Sequence, residues 1–296
     1  LKGFSEAVSA WRVLHESTTE SRFEAAQTAA LGRLVGREHE LGLLKERWEL
    51  AKGGEGQIVL LSGEAGFGKS RIVRAAQELI GQDRHYYLRY QCSPYHVNSA
   101  FHPLIRQLES TAGFAAGDSG EIKLDKLEAL LASSFTDLAA AAPLFAALLS
   151  LPGEDRYGPL DLTPAQRRDR IFAALAGHVL GLSRQRPVFL VIEDVQWMDP
   201  TTQDFVGEVI TQAAESAAFV LITHRPDYAA PWKGHRHLTS LALNRLSREQ
   251  AGKIVEAVGE GRLSGPVVDK IVARADGVPL FVEELTKSVL EAGEIS

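Results

Sequence analysis

The sequence predicts an α/β protein: a doubly wound parallel sheet followed by a small, purely helical unit. Three observations predict it. Short unbroken apolar runs at Gln57-Ile58-Val59-Leu60-Leu61, Val188 to Ile192 and Ala218 to Thr223 have the length and continuity of strands covered on both faces. Helical periods separate these runs. From Ser247 onward only helical periodicity remains, and strands alternating with helices, then helices alone, is the element order of such an architecture.

Taken in order, residues 4–14 read as a short strand centred on Ala10-Trp11-Arg12-Val13-Leu14, and residues 15–33, polar and Ala-rich, as a linker. A helical period opens at Glu38, with Leu41, Leu44, Trp48 and Ala51 on one face, and Gly53-Gly54 end it. The first apolar strand, 57–61, leads through a Gly-rich turn into a helix over about 69–81, and a second strand is predicted at Tyr86 to Gln91. Residues 100–185 form a helical insertion, Ala/Leu-rich between 129 and 149. Within it Thr163-Pro164-Ala165-Gln166 supplies an N-cap, a first-turn proline and a capping box. The third and fourth strands are 188–192 and 218–223, and a fifth runs from His237 to Leu243. Ser247 and Gln250 form a second capping box, and Gly277 and Pro279 separate the last two helices. The expected domains are 34–243, an α/β domain, and 244–296, a helical lid.

Composition narrows the function classes. The 296 residues carry 32 Lys+Arg against 38 Asp+Glu, a net charge of −6, without the concentrated basic face of a general nucleic-acid binder. Cys92 is the single cysteine, which excludes an internal disulfide and a Cys-pair zinc site and fits a reducing cytoplasm. No apolar run approaches the ~18 residues of a spanning helix. Residues 1–30 carry charges throughout and lack a signal-peptide pattern. The chain opens with Leu in mid-pattern, as a piece of a longer protein would.

Gly63-Glu64-Ala65-Gly66-Phe67-Gly68-Lys69-Ser70 matches the phosphate-binding loop pattern in full. It follows an apolar strand and opens a helix, the context that gives the pattern meaning. Its glycines let the backbone wrap a phosphate with N–H groups inward, and the next helix presents its positive dipole end. Lys69 is placed to reach the β- and γ-phosphates and Ser70 to ligate Mg²⁺, with Arg71 beside them. The fold class is therefore a P-loop NTPase, with Gly63 to Arg71 as candidate nucleotide contacts. No Asn-Lys-x-Asp guanine motif is evident, which favours ATP or ADP.

The strand Val188 to Ile192 ends in Glu193-Asp194. Parallel strands end at one sheet edge, so these carboxylates face the same side as the phosphate loop. By position Glu193 holds the metal and Asp194 orients or deprotonates the attacking water, although the register leaves the two roles exchangeable and either carboxylate a candidate ligand. Asp is shorter than the usual Glu base, and slow hydrolysis suited to a switch is expected. Asp199-Pro200 fits an ordinary helix start as well as a catalytic role. The fourth strand ends in Thr223-His224-Arg225. Were it to lie between the other two, its tip would face the γ-phosphate, with Arg225 as sensor and Thr223 as support. Gly277-Val278-Pro279 fits a C-cap glycine and a helix-starting proline, a rigid turn that can also serve as a floor for a base.

With these motifs in place the chain resembles the STAND-type ATPases, signalling relatives of AAA+ proteins, and in particular the ATPase domain fused behind class III adenylate/guanylate cyclase domains. The matching segments are Leu34-Val35-Gly36-Arg37-Glu38, the phosphate loop, Cys92-Ser93-Pro94-Tyr95-His96, the Glu193-Asp194 to Asp199 stretch, Thr223-x-Arg225 and Gly277-x-Pro279 through Glu284. The resemblance implies that Val35, Gly36 and Arg37 line the adenine pocket, that Pro279 closes over base and ribose, and that Arg225 is the sensor. It implies ATP/ADP exchange coupled to domain rearrangement, with homo-oligomerisation or partner release as output. Leu1 to Val13 looks like the last strand of a cyclase domain, with Ala7 where that family has Pro, and helical repeats commonly follow such ATPase domains. Alternatives are the ATPase module of a LuxR-type transcription regulator and a nucleotide-binding scaffold without turnover.

Other clusters carry less. Cys92, His96 and His102 are loosely spaced for a metal. His235 and His237 read as exposed on one strand face, and Arg167, Arg168 and Arg170 as a solvated helix face.

Overall fold

The computed structural model describes residues 34–232 and 234–293. The expected strand at 4–14 and linker at 15–33 lie outside the described residues. The elements are α1 (Glu38–Lys52), β1 (Gln57–Ser62), α2 (Lys69–Ile80), β2 (Tyr86–Gln91), α3 (His102–Thr111), α4 (Gly120–Leu131), α5 (Leu138–Leu148), the single turn α6 (Glu154–Tyr157), α7 (Pro164–Ser183), β3 (Val188–Glu193), α8 (Pro200–Ala213), β4 (Ala218–His224), β5 (Leu238–Ala242), α9 (Arg248–Gly259), α10 (Gly265–Ala275) and α11 (Pro279–Glu291).

The five strands form one sheet in the order β2-β3-β4-β1-β5, and every pairing is parallel. β4 therefore lies between β1 and β3, the arrangement on which a sensor at its tip depends. The two-residue period of the strands divides the core. Ile58, Leu60, Val188, Leu190 and Ile192 join one buried cluster with residues of α3, α4, α5, α7 and α8. Val59, Leu61, Phe189 and Val191 join the opposite cluster with α1 and α2. Burying Ile72, Val73 and Ile80 of α2 stabilises that face by roughly 1.5–3 kcal/mol per side chain. There Trp48 packs near Phe189 and Phe219, whose rings stack at 5.3 Å.

Both capping boxes form as the sequence predicts, at Thr163/Gln166 and Ser247/Gln250. α9, α10 and α11 share a core of their own, with Leu246, Ile254, Val255, Ile271, Val272 and Val282 buried in it. One expectation is corrected. β5 begins at Leu238, so His235 and His237 precede the strand instead of sharing its face. Both are half-buried, and the His237 Nε2–H donates to the Ile210 carbonyl at 2.8 Å: that carbonyl near the end of α8 needs a donor, which draws the ring inward. Arg167, Arg168 and Arg170 are exposed. Among the described residues no helix is long and apolar enough to cross a membrane.

Candidate nucleotide-binding site

The parallel register brings the C-terminal ends of β1, β3 and β4 to one edge, with Ser62 opposite His224 and Ile192 opposite Ile222. The phosphate loop leaves β1 there. Its first residue is tied back to the sheet by the Gly63 N–H, which donates to the His224 carbonyl at 3.2 Å. Gly66 (φ 83°) and Gly68 (φ 93°) adopt left-handed backbone, which glycine takes without strain. Gly66 has a second reason to be glycine, since a Cβ there would stand 3.1 Å from Val278 Cγ1 and 3.2 Å from Leu280 Cβ. The loop is thus shaped by backbone that only glycine supplies cheaply, with α11 pressed against it.

Lys69 begins α2, and its Nζ donates to the carbonyls of Gly63 at 2.6 Å and Glu64 at 3.2 Å. Burial holds its pKa below the ordinary value, opposed by the Asp194 carboxylate and assisted by the nearby Arg225. The ammonium therefore sits among the loop, Asp194 and Arg225. The Ser70 hydroxyl donates to the Glu193 carboxylate. Glu193 is 2 % exposed and accepts from Arg89 Nε of β2 at 2.8 Å. Burial pushes its carboxyl up, while Arg89 and Ser70 pull it down. The structure thus brings Ser70 and Glu193 together at the loop, and a hydroxyl beside one carboxylate fits Mg²⁺, which binds through one or two protein groups and takes its remaining ligands from phosphates and water.

Asp194 follows the strand in left-handed backbone (φ 59°), a conformation Asp tolerates better than most residues. Its N–H donates to Thr223 Oγ1 of β4 at 3.0 Å, and its carboxylate receives Gln196 Nε2 at 3.2 Å. The Arg225 guanidinium lies 5.4 Å from the Trp197 ring centroid. Asp199 accepts from the Thr202 N–H at 2.9 Å and caps α8, which is the helix-start role. Cys92 is buried behind the acids; burial, then Asp194, Asp199 and Glu193, push its thiol far up. The rings of His96 and His102 stack at 3.6 Å. Among the described residues no group of three His, Cys, Asp or Glu side chains is set to hold a metal.

On the other side of the loop, Arg37 is buried and donates to the carbonyls of Asn244 at 2.7 Å and Phe67 at 3.3 Å. Val35 packs on the three-helix core, and Gly36 (φ 69°) lies against the Gln250 side chain. This segment is wedged between the phosphate loop and α9. At Gly277 (φ 70°) a Cβ would meet the Leu246 carbonyl oxygen at 2.5 Å. Pro279 is buried at the start of α11, the Leu280 N–H donates to the Gly66 carbonyl at 3.2 Å, and Glu283 pairs with Arg71. Arg89, Gln196 and Glu283 had no assigned part in the sequence. Arg89 was findable as a cation in the middle of a half-buried strand.

The fold and site define a P-loop ATPase module. The AAA ATPase domain model matches residues 33–222, and the chain belongs to that family. It is similar to an uncharacterised protein of Rhizobium meliloti (strain 1021), 31% identical over 292 residues, 98% of this chain and 28% of that protein; the chain thus spans under a third of the relative's length. Among solved structures it is similar to Cdc6p from Pyrobaculum aerophilum, with a TM-score of 0.52 and 14% identity over 90% of this chain and 65% of the other. It is also similar to a signal transduction ATPase with numerous domains (STAND), carrying a tetratricopeptide repeat sensor, from Pyrococcus horikoshii. That match has a TM-score of 0.46 and 16% identity over 84% of this chain and 29% of the other.

Proposed function

We propose that this chain is an ATP-binding, slowly hydrolysing switch module of a larger signalling protein, with a class III cyclase-type domain before it and helical repeats after it. One observation carries the ATPase reading: Lys69, the Ser70–Glu193 pair and Asp194 converge at one edge of a parallel sheet around a glycine loop. The greater length of the Rhizobium relative supports a multidomain parent, and the cyclase-like pattern of residues 1–14 supports its kind.

Each group has a task. The loop N–H groups and Lys69 bind the phosphates, with Lys69 exchanging its carbonyl partners for phosphate oxygens. Ser70 and Glu193 would hold Mg²⁺, which when bound would supply neutralisation of the phosphate charge. Asp194 accepts a hydrogen bond from the attacking water, and Arg225 leaves the Trp197 face to meet the γ-phosphate. Val35, Gly36, Arg37 and Pro279 border the base. The contacts of α11 with the loop and the first turn of α2, Leu280 to Gly66 and Glu283 to Arg71, give the helical lid a direct report of what the loop holds. Nucleotide exchange then becomes a rearrangement of the 244–296 unit, and oligomerisation or partner release follows from it.

The test is nucleotide binding and ATP turnover of this chain beside Lys69→Ala and Asp194→Asn. Mg²⁺-dependent ATP or ADP binding that Lys69→Ala loses, with turnover on the order of 1 s⁻¹ or below that Asp194→Asn abolishes, is the expected result. Binding without turnover would make the chain a nucleotide-binding scaffold, and no binding would end the reading.

A further inference from the structure

We infer that Gln196 is a positioning residue for the hydrolytic step, bridging the Asp194 carboxylate to the tip of β4. This deepens the proposed function and rests on Asp194 acting on water.

The bridge is made by one side-chain amide. Gln196 Nε2 donates to Asp194 Oδ1 at 3.2 Å, and Gln196 Oε1 accepts the Arg225 N–H at 3.2 Å. The chemistry of the two partners fixes the amide's orientation, because a carboxylate only accepts and a backbone N–H only donates. The local fold explains how Gln196 comes to stand there. Asp194 turns through left-handed backbone into a single 3₁₀ turn, Val195–Trp197, closed by the Trp197 N–H on the Asp194 carbonyl at 2.9 Å. That turn sends Gln196 back toward β4 and lays Trp197 under the Arg225 guanidinium.

β4 and Arg225, the residue that follows it, therefore grip the turn at three points: Thr223 Oγ1 on the Asp194 N–H, the Arg225 N–H on Gln196, and the Arg225 guanidinium on Trp197. Of these, only Gln196 reaches the carboxylate itself. A carboxylate that must aim one lone pair at water needs its other oxygen held. Gln196 holds Oδ1 at 3.2 Å, while Oδ2 takes the longer contact from Gln91 Nε2 of β2 at 3.5 Å, and Gln196 acts from a site whose own position is set by the strand tip that, in the proposed reading, meets the γ-phosphate. When Arg225 moves toward phosphate, the amide that orients Asp194 moves with it, so the aim of Asp194 follows what the strand tip contacts.

Two variants separate the halves of the bridge. Gln196→Met keeps the length and loses both contacts. Gln196→Glu keeps an acceptor for the Arg225 N–H but sets a carboxylate against Asp194. A lost hydrogen bond to a charged group predicts turnover lowered about tenfold to a hundredfold in both, with the ADP dissociation constant within about threefold of wild type. Hydrogen exchange of the Arg225 amide in nucleotide-free protein is expected to quicken in Gln196→Met and to stay near wild type in Gln196→Glu. A purely structural role would make turnover follow exchange, leaving Gln196→Glu active; wild-type turnover in Gln196→Glu, where Asp194→Asn has none, overturns the inference alone. Persistent turnover in Asp194→Asn instead removes the reading on which it rests. Should the wild-type protein not hydrolyse ATP, that reading falls too, and unchanged Arg225 exchange in Gln196→Met refutes the bridge independently.

Discussion

Replacing Gly277 by Ala tests whether the turn before α11 is as tightly fixed as its geometry indicates. Gly277 has φ 70° and its carbonyl accepts the Leu246 N–H at 2.8 Å. An added Cβ would lie 2.5 Å from the Leu246 carbonyl oxygen, a backbone atom that cannot swing aside as a side-chain tip would. Left-handed backbone costs a non-glycine residue about 1–2 kcal/mol. Moving the Leu246 peptide sacrifices its hydrogen bond, worth about 1 kcal/mol, and the residual overlap adds at least about 1 kcal/mol. The sum is about 3–4 kcal/mol, a lowering of Tm on the order of 10 °C for a chain of this size. Gly54→Ala is the matched control: φ is 92° but nothing lies within 4 Å of the added Cβ, so only the backbone penalty of about 1–2 kcal/mol remains. Calorimetry of both variants isolates the clash as their difference. Equal melting temperatures for the two would refute the reasoning, because the Leu246 contact would then have no energetic weight. In the Gly277→Ala protein ADP affinity should also fall, since this turn carries α11 to the phosphate loop.

Arg37→Met leaves the Phe67 and Asn244 carbonyls without the cation that joins them; at about 1.5–3 kcal/mol for hydrogen bonds to a charged group, nucleotide affinity should fall about tenfold or more by titration. Thr223→Val keeps shape but removes the acceptor of the Asp194 N–H; turnover should drop about tenfold, with ADP binding unchanged in the same titration. His178, buried in α7 with Nδ1 2.6 Å from Ser134 Oγ, has its pKa pushed down to about 4 by burial. The unfolded chain takes up that proton near pH 6.5 and the folded one only near 4, so the stabilisation is complete above the unfolded value and is lost as pH falls through this window. The loss totals about 3 kcal/mol, and urea melts of wild type and His178→Gln between about pH 7 and pH 4 should show this share of the slope only in wild type.

β1, β3 and β4 were legible because their burial on both faces is written as unbroken apolar runs, and the helix starts because capping boxes are local chemistry. Both signals lie within a few residues of each other, as does the phosphate loop. The fifth strand was drawn one residue too long at each end, His237 to Leu243 against Leu238–Ala242, and the inward turn of the His237 ring to the Ile210 carbonyl, 27 positions away, left no local signal. Distance in sequence hides the same class of contact at the site. Arg89 and Glu193 are 104 residues apart, Arg71 and Glu283 are 212 apart, and neither pairing leaves a trace in local periodicity.

What the fold adds to the motifs is a set of direct links between groups that the sequence presents separately. The phosphate loop meets α11 through Leu280 and meets Arg37 through Phe67. The acid pair meets β2 through Arg89, β4 through Thr223, and Arg225 just beyond β4 through Gln196. A loop held on one side by a helical unit and an acid held on the other by the neighbouring strands cannot rearrange independently of them. Each link is a single hydrogen bond or ion pair worth about 1–3 kcal/mol, small enough for a bound phosphate to replace and large enough to shift a conformational equilibrium by roughly five- to a hundredfold. In the proposed reading, that range is what a switch requires. Stronger ties would lock the module in one state, and weaker ones would leave the helical unit indifferent to the nucleotide.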